Sequence, residues 1–140
     1  MYQLAGNQKI YKRELFDWIE NYGQGSLWRR ENASKTKLIS ESDTLIESTL
    51  RNYILQLHQT AQNSRAKYSQ KQAKAGYEMY FSKIKNSKHA DQMNFFNGEL
   101  LYDMKEYVKA AKSYNKVDTG SDKKSKYHKL ATLNLSLIHI

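Results

Sequence analysis

The chain has 140 residues and a formal net charge of +9, from 23 Lys and Arg against 14 Asp and Glu. It holds no cysteine and no proline, which excludes disulfides, thiolate metal sites and cysteine nucleophiles and favours long helices over a turn-rich β fold. No stretch approaches the roughly 18 consecutive apolar residues of a membrane span, and the opening Met-Tyr-Gln-Leu-Ala-Gly-Asn-Gln lacks the regions of a secretion signal, so an all-α chain without a membrane span is expected.

Residues 10–22 carry Tyr11, Leu15, Trp18, Ile19 and Tyr22 on one helical stripe, and Gly23-Gln-Gly25-Ser26 supplies the glycines that end a helix. Residues 27–32 have room for a turn or two of helix before a break at Ala33-Ser-Lys-Thr36. From about Lys37, the residues Leu38, Leu45, Ile46, Leu50, Tyr53, Ile54, Leu57 and Ala61 recur at helical spacing with no glycine before Gly76, which predicts one long helix. The polar cluster Asn63-Ser64-Arg65 is the place for a turn. Beyond it Ala73, Tyr77, Tyr80 and Ile84 form a second stripe, so a helical hairpin is expected, closed by Asn86-Ser87-Lys88.

Residues 90–117 read as two short amphipathic helices around a tight turn at Lys105-Glu106. Gly98 lies in the first, and Tyr107, Ala110, Tyr114 and Val117 share one face of the second. Asp118-Thr-Gly120-Ser121-Asp122 closes the pair. A further helix starts near Ser125 with Tyr127, Leu130 and Ala131, but Leu133, Leu135 and Leu137 alternate, which predicts a strand-like end. The closing Leu135-Ser-Leu-Ile-His-Ile140 resembles a translated sequencing adaptor; the last residues are expected to be non-native, and the natural protein to continue into more repeats.

An internal echo supports a repeat. Gly76 and Ala110, Tyr80 and Tyr114, and Ser87 and Ser121 are each 34 positions apart. Gly98, Ala110 and Tyr114 also stand where a tetratricopeptide repeat has its small eighth position, its alanine at the twentieth and its aromatic at the twenty-fourth. The segment resembles that family, whose unit of about 34 residues stacks into a solenoid. Val117 replaces the usual alanine, Asp122 the usual proline and Asn94 the usual tryptophan. The resemblance implies a right-handed superhelix of antiparallel helix pairs. Residues 1–26 would be the end of a degenerate repeat, 27–88 an extended hairpin, 89–122 a repeat and 123–140 a truncated next helix. Gly76, Tyr80, Gly98, Tyr107, Ala110, Tyr114 and Val117 would be the repeat's interior contacts. The linker Lys85-Asn-Ser-Lys-His-Ala90 followed by Phe95-Phe96-x-Gly98-Glu99 is similar to repeats of bacterial cell-envelope proteins, which implies a place in the envelope or periplasm.

The resemblance further implies a protein-interaction scaffold that takes a partner protein or peptide in a concave groove, here lined by Gln92, Phe95, Glu99, Tyr102 and Asp103. Helical spacing puts these five on one face, unless Phe95 and Tyr102 pack on a neighbouring hairpin and the carboxylates are merely solvated. Open repeat ends predict self-association. No catalytic residue, metal or cofactor is expected: His58, His89, His128 and His139 lack metal-ligand spacing, and His58 reads as an ordinary helix residue. Gly23-Gln-Gly25 lacks the strand and third glycine of a phosphate-binding turn. The Lys67, Lys71, Lys74 and Lys105, Lys109, Lys112, Lys116 stripes read as solvated faces. The alternative function is weak, sequence-independent binding of nucleic acid or an anionic surface; specific nucleic-acid recognition is not expected.

Overall fold

The computed structural model describes residues 5–118 and 126–138. Among them are seven helices and no strand: α1 (Ala5–Tyr22), α2 (Leu27–Glu31), α3 (Thr36–Ser64), α4 (Lys67–Lys83), α5 (Ala90–Asp103), α6 (Tyr107–Asp118) and α7 (Lys126–Leu137). No described helix is long and apolar enough to cross a membrane. The chain divides into two compact units, Met1–Asn52 and Tyr53–Ile140, with the division inside α3. Residues 27–88, expected as one hairpin, are thus shared between the units. The turn expected through Gly120 and Asp122, the Ser121 member of the echo, and His139 lie outside the described residues.

In the first unit, Leu15 and Ile19 of α1 and Ile46 and Leu50 of α3 are buried. The α1 terminus shows why glycine is needed there. The Gly23 N–H donates to the Ile19 carbonyl at 2.8 Å, and a Cβ on Gly23 would lie 2.5 Å from that same oxygen. Gly25 then takes a φ of +83°, a conformation that costs an L side chain about 1–2 kcal/mol. Ser26 caps α2 by accepting from the Arg29 backbone N–H at 3.2 Å. The Arg29 guanidinium pairs with Asp43, tying α2 to α3, and the Tyr22 and Trp28 rings meet edge to face at 5.4 Å.

In the second unit, Ile54, His58 and Ala61 of α3 face Ala73, Gly76, Tyr77 and Tyr80 of α4, all buried. A Cβ on Gly76 would stand 3.0 Å from the Ile54 side chain, so the absence of a side chain sets how closely the two helices approach. The three described turns of this unit share one device. Arg65, Asn86 and Lys105 follow α3, α4 and α5 with φ of 56°, 57° and 64°. At the last of them the Lys105 N–H donates to the Tyr102 carbonyl and the Glu106 N–H to the Leu101 carbonyl, both at 2.9 Å, the paired bonds of a Schellman C-cap. Ser87 holds the α4–α5 linker: its hydroxyl bonds the Tyr80 phenol at 2.8 Å and accepts from the His89 N–H at 3.0 Å.

Helices α5 and α6 form a tight hairpin. A Cβ on Gly98 would come within 2.6 to 2.9 Å of three Tyr114 ring atoms, so the ring lies directly over the glycine. Buried Ser113 bridges the pair: its hydroxyl donates to the Asn94 carbonyl at 2.8 Å and accepts from the Asn97 amide at 3.2 Å. Helix α7 completes the cluster of Phe95, Leu101, Ala110, Tyr114, Val117 and Ala131. Here the expectation of a strand-like end is corrected. Tyr127, Ala131 and Leu135, four residues apart, turn inward with Ile138 as one helical stripe, while Leu133 and Leu137 face outward at 57% and 60% exposure. Three alternating leucines fit a helix once the stripe beneath them is seen.

Candidate functional site

The exposed side of α5 is the surface on which the expected partner residues fall, and it is smaller than the helical spacing alone predicts. Gln92 and Glu99 are half-buried, and Tyr102 and Asp103 are exposed. Phe95 is not available to a partner. It is 5% exposed, with the rings of Phe96, Tyr114 and Tyr127 at 5.5, 5.9 and 5.6 Å, because α7 covers the first half of this face. Phe95 therefore belongs to the hairpin interior, and the expected five-residue surface contracts to four.

Tyr107 is corrected in the opposite sense. Expected as an interior contact, it is 42% exposed and meets Tyr102 edge to face at 5.1 Å, so the two rings form an aromatic pair at the surface where the hairpin turns. It opens α6 beside the turn, where the second helix has not yet reached the cluster covered by α7. Gly76, Tyr80, Gly98, Ala110, Tyr114 and Val117 are all buried.

The electrostatics of this face are unusual for so basic a chain. Among the described residues neither Glu99 nor Asp103, one helical turn apart, has a hydrogen-bond or ion-pair partner. Burial, and then the Asp103 charge, raise the Glu99 carboxyl above the ordinary carboxylate range. Three residues further on, Glu106 is fully engaged: the Lys74 ammonium donates to its two oxygens at 3.0 and 3.1 Å, Lys109 lies 3.4 Å away, and its carboxyl is held below the usual range. Lys74, expected on a solvated face, instead joins α4 to the α5–α6 turn.

Behind the face, His58 of α3 is 3% exposed and its Nδ1 lies 2.6 Å from the Tyr77 hydroxyl. Burial pushes Tyr77 well above the ordinary phenol range, with Glu99 adding to it, and pushes Tyr114 up to about 12. His58, expected as an ordinary helix residue, is thus a buried polar contact. No motif announced it; the one sequence signal was its place among the apolar positions Ile54, Leu57 and Ala61.

Among the described residues, no group of three or more His, Cys, Asp or Glu is placed to hold a metal ion. Two shallow depressions of about 560 and 350 Å³ lie on the first unit, lined by Lys35, Thr36, Lys37, Leu38 and Glu41, and by Gly25, Arg29, Arg30, Ala33 and Ile39. Neither includes a residue expected to contact a partner. Compared with models of known protein families, with curated proteins and with solved structures, the chain matches none.

Proposed function

We propose that the chain is a tetratricopeptide-like interaction module that presents the exposed side of α5 to a partner protein or peptide. One observation carries this reading: among the described residues Glu99 and Asp103 stand without cationic partners beside the exposed Tyr102–Tyr107 pair, in a chain with 23 Lys and Arg. A half-buried carboxylate left unpaired costs stability that an interior neighbour would recover, and a partner's side chains recover it at an interface. The close fits of Gly98 under Tyr114 and of Gly76 against Ile54 support a hairpin repeat, as does the 34-residue spacing of Gly76 with Ala110 and Tyr80 with Tyr114. The linker likeness to envelope proteins suggests where the partner is found.

The second reading, contact with nucleic acid or an anionic surface, is favoured by the exposure of Lys105, Lys109, Lys112 and Lys116. Panning a random peptide library against the immobilised chain separates the two. Peptides recovered by the wild type should lose binding to the Glu99→Lys, Tyr102→Ala double variant and keep it with Lys112→Glu. Loss with Lys112→Glu alone, together with salt-sensitive binding of RNA or anionic vesicles, would move the site to the lysine face.

A further inference from the structure

The His58 contact has a property that the partner-binding reading does not use. Three helices meet there. His58 is on α3, Tyr77 on α4 and Phe96 on α5, with the imidazole edge to face to both rings at centroid distances of 5.6 and 6.3 Å. Nδ1 is bonded to the Tyr77 hydroxyl, and Nε2 is buried with no hydrogen-bond partner. Tyr77 keeps its proton throughout the physiological range because burial disfavours the phenolate. The arrangement that uses that proton has the phenol O–H donating to a bare Nδ1, which leaves the ring proton on Nε2.

Acid would act on this arrangement at its weakest point. The bare nitrogen is the one that accepts the bond between α3 and α4. A proton added there turns an acceptor into a donor, so the Tyr77 hydroxyl can keep the contact only by reversing to accept, which leaves its own buried O–H with no acceptor in this contact. The resulting imidazolium also carries its charge in a buried site with Nε2–H still unpartnered, which is costly. We propose that His58 is a proton-sensitive joint of the second unit: neutral, it ties α3 to α4 through Tyr77 and seats Phe96 of α5; protonated, it strains that tie and loosens the junction.

The ionisable groups facing the pair are Tyr77 from α4 and, from α5, Glu99, which acts on Tyr77, and Asp103, which acts on His58. Asp103 favours the charged ring, but burial outweighs it, and the His58 pKa is lowered from 6.5. The sign follows. Above the unfolded value of 6.5 both states are neutral and the joint's contribution is fully present; as pH falls below 6.5 the unfolded chain takes the proton first and stability is lost, down to the folded pKa.

Ring-nitrogen NMR of the full labelled chain tests this directly. At neutral pH His58 should show a bare Nδ1 and a protonated Nε2, and it should stay neutral at pH values where histidines of the urea-unfolded chain are half protonated, about 6.5. Tyr77→Phe removes the bond that favours the neutral ring and should move the titration up. In urea titrations followed through amides of α4, the folding constant should fall by up to about tenfold per pH unit below 6.5, and His58→Asn should flatten that slope. A His58 ring that titrates with the unfolded chain, or the same slope in His58→Asn, would overturn the proposal. If His58→Asn does not fold, the wild-type and Tyr77→Phe ring titrations decide alone.

Discussion

Replacing Gly98 by alanine isolates the close approach on which the α5–α6 hairpin rests. In an ordinary helix interior this change is stabilising, by about 0.5–1 kcal/mol, because glycine has more backbone freedom to lose. Here the new Cβ would sit 2.6, 2.7 and 2.9 Å from three atoms of the Tyr114 ring. That ring cannot swing aside easily: it is 2% exposed, touches Phe95, and its hydroxyl accepts from the Asn134 amide at 3.3 Å. Overpacking of this kind costs about 1–3 kcal/mol, which less the propensity gain leaves a net loss of about 0–2.5 kcal/mol, about 1–1.5 at mid-range. For a unit of fewer than 100 residues that mid-range loss lowers the melting midpoint by roughly 4–12 °C. Gly76→Ala is the matched control. It has the same propensity gain, but the nearest atoms to its Cβ would be Ile54 Cγ1 and Cγ2 at 3.0 and 3.5 Å and a Leu57 methyl at 3.6 Å, a milder crowding than at Gly98, so its midpoint should fall less than that of Gly98→Ala. Thermal melts by circular dichroism measure both. A Gly98→Ala midpoint at or above that of the wild type would refute the assigned contact.

Two further outcomes follow from the turns and from the acidic face. Lys105→Gly should stabilise the second unit by about 0.5–1 kcal/mol, since Lys105 is exposed and holds a left-handed conformation that glycine adopts freely; Asn86→Gly should gain less, because asparagine tolerates that region, and equal gains in urea unfolding would show that the Schellman cap is unstrained. Glu99→Gln should raise stability at neutral pH. A carboxyl whose folded pKa is raised above its unfolded value weakens the fold as pH rises through the folded pKa, so the advantage of the variant should disappear below about pH 4.5; an advantage that persists in acid would mean the carboxylate is not what strains this site.

The helices were legible where local chemistry decides them. Each described turn of the second unit falls on a polar cluster, Asn63-Ser64-Arg65, Asn86-Ser87-Lys88 or Lys105-Glu106, and each places a non-glycine residue at positive φ there. Glycine is the usual residue there, so the positive-φ positions could not be told from composition, although the turns could. The end of α7 was misread for a different reason. Leu133, Leu135 and Leu137 span too few residues for a period of two to exclude one of 3.6, and the stripe that settles the matter includes Tyr127 and Ala131, further back.

The candidate face was only partly legible because exposure is a property of pairs of helices. Spacing on α5 puts Gln92, Phe95, Glu99, Tyr102 and Asp103 on one side, yet only the presence of α7 decides that Phe95 is inside and Glu99 at the rim. Charge pairing is equally non-local. Lys74 and Glu106 are 32 positions apart, and nothing near either marks them as partners, whereas Glu99, with a lysine-rich helix following, looks as if it should be paired and has no partner among the described residues. Of the α6 cations, Lys109 turns back to Glu106, and the Lys116 ammonium lies over the Phe81 ring at 5.9 Å. In a chain with an excess of nine positive charges the half-buried Glu99 carboxylate has no ion-pair partner among the described residues, and that mismatch between composition and placement is why the α5 face, rather than the lysine stripe, is the surface to test first.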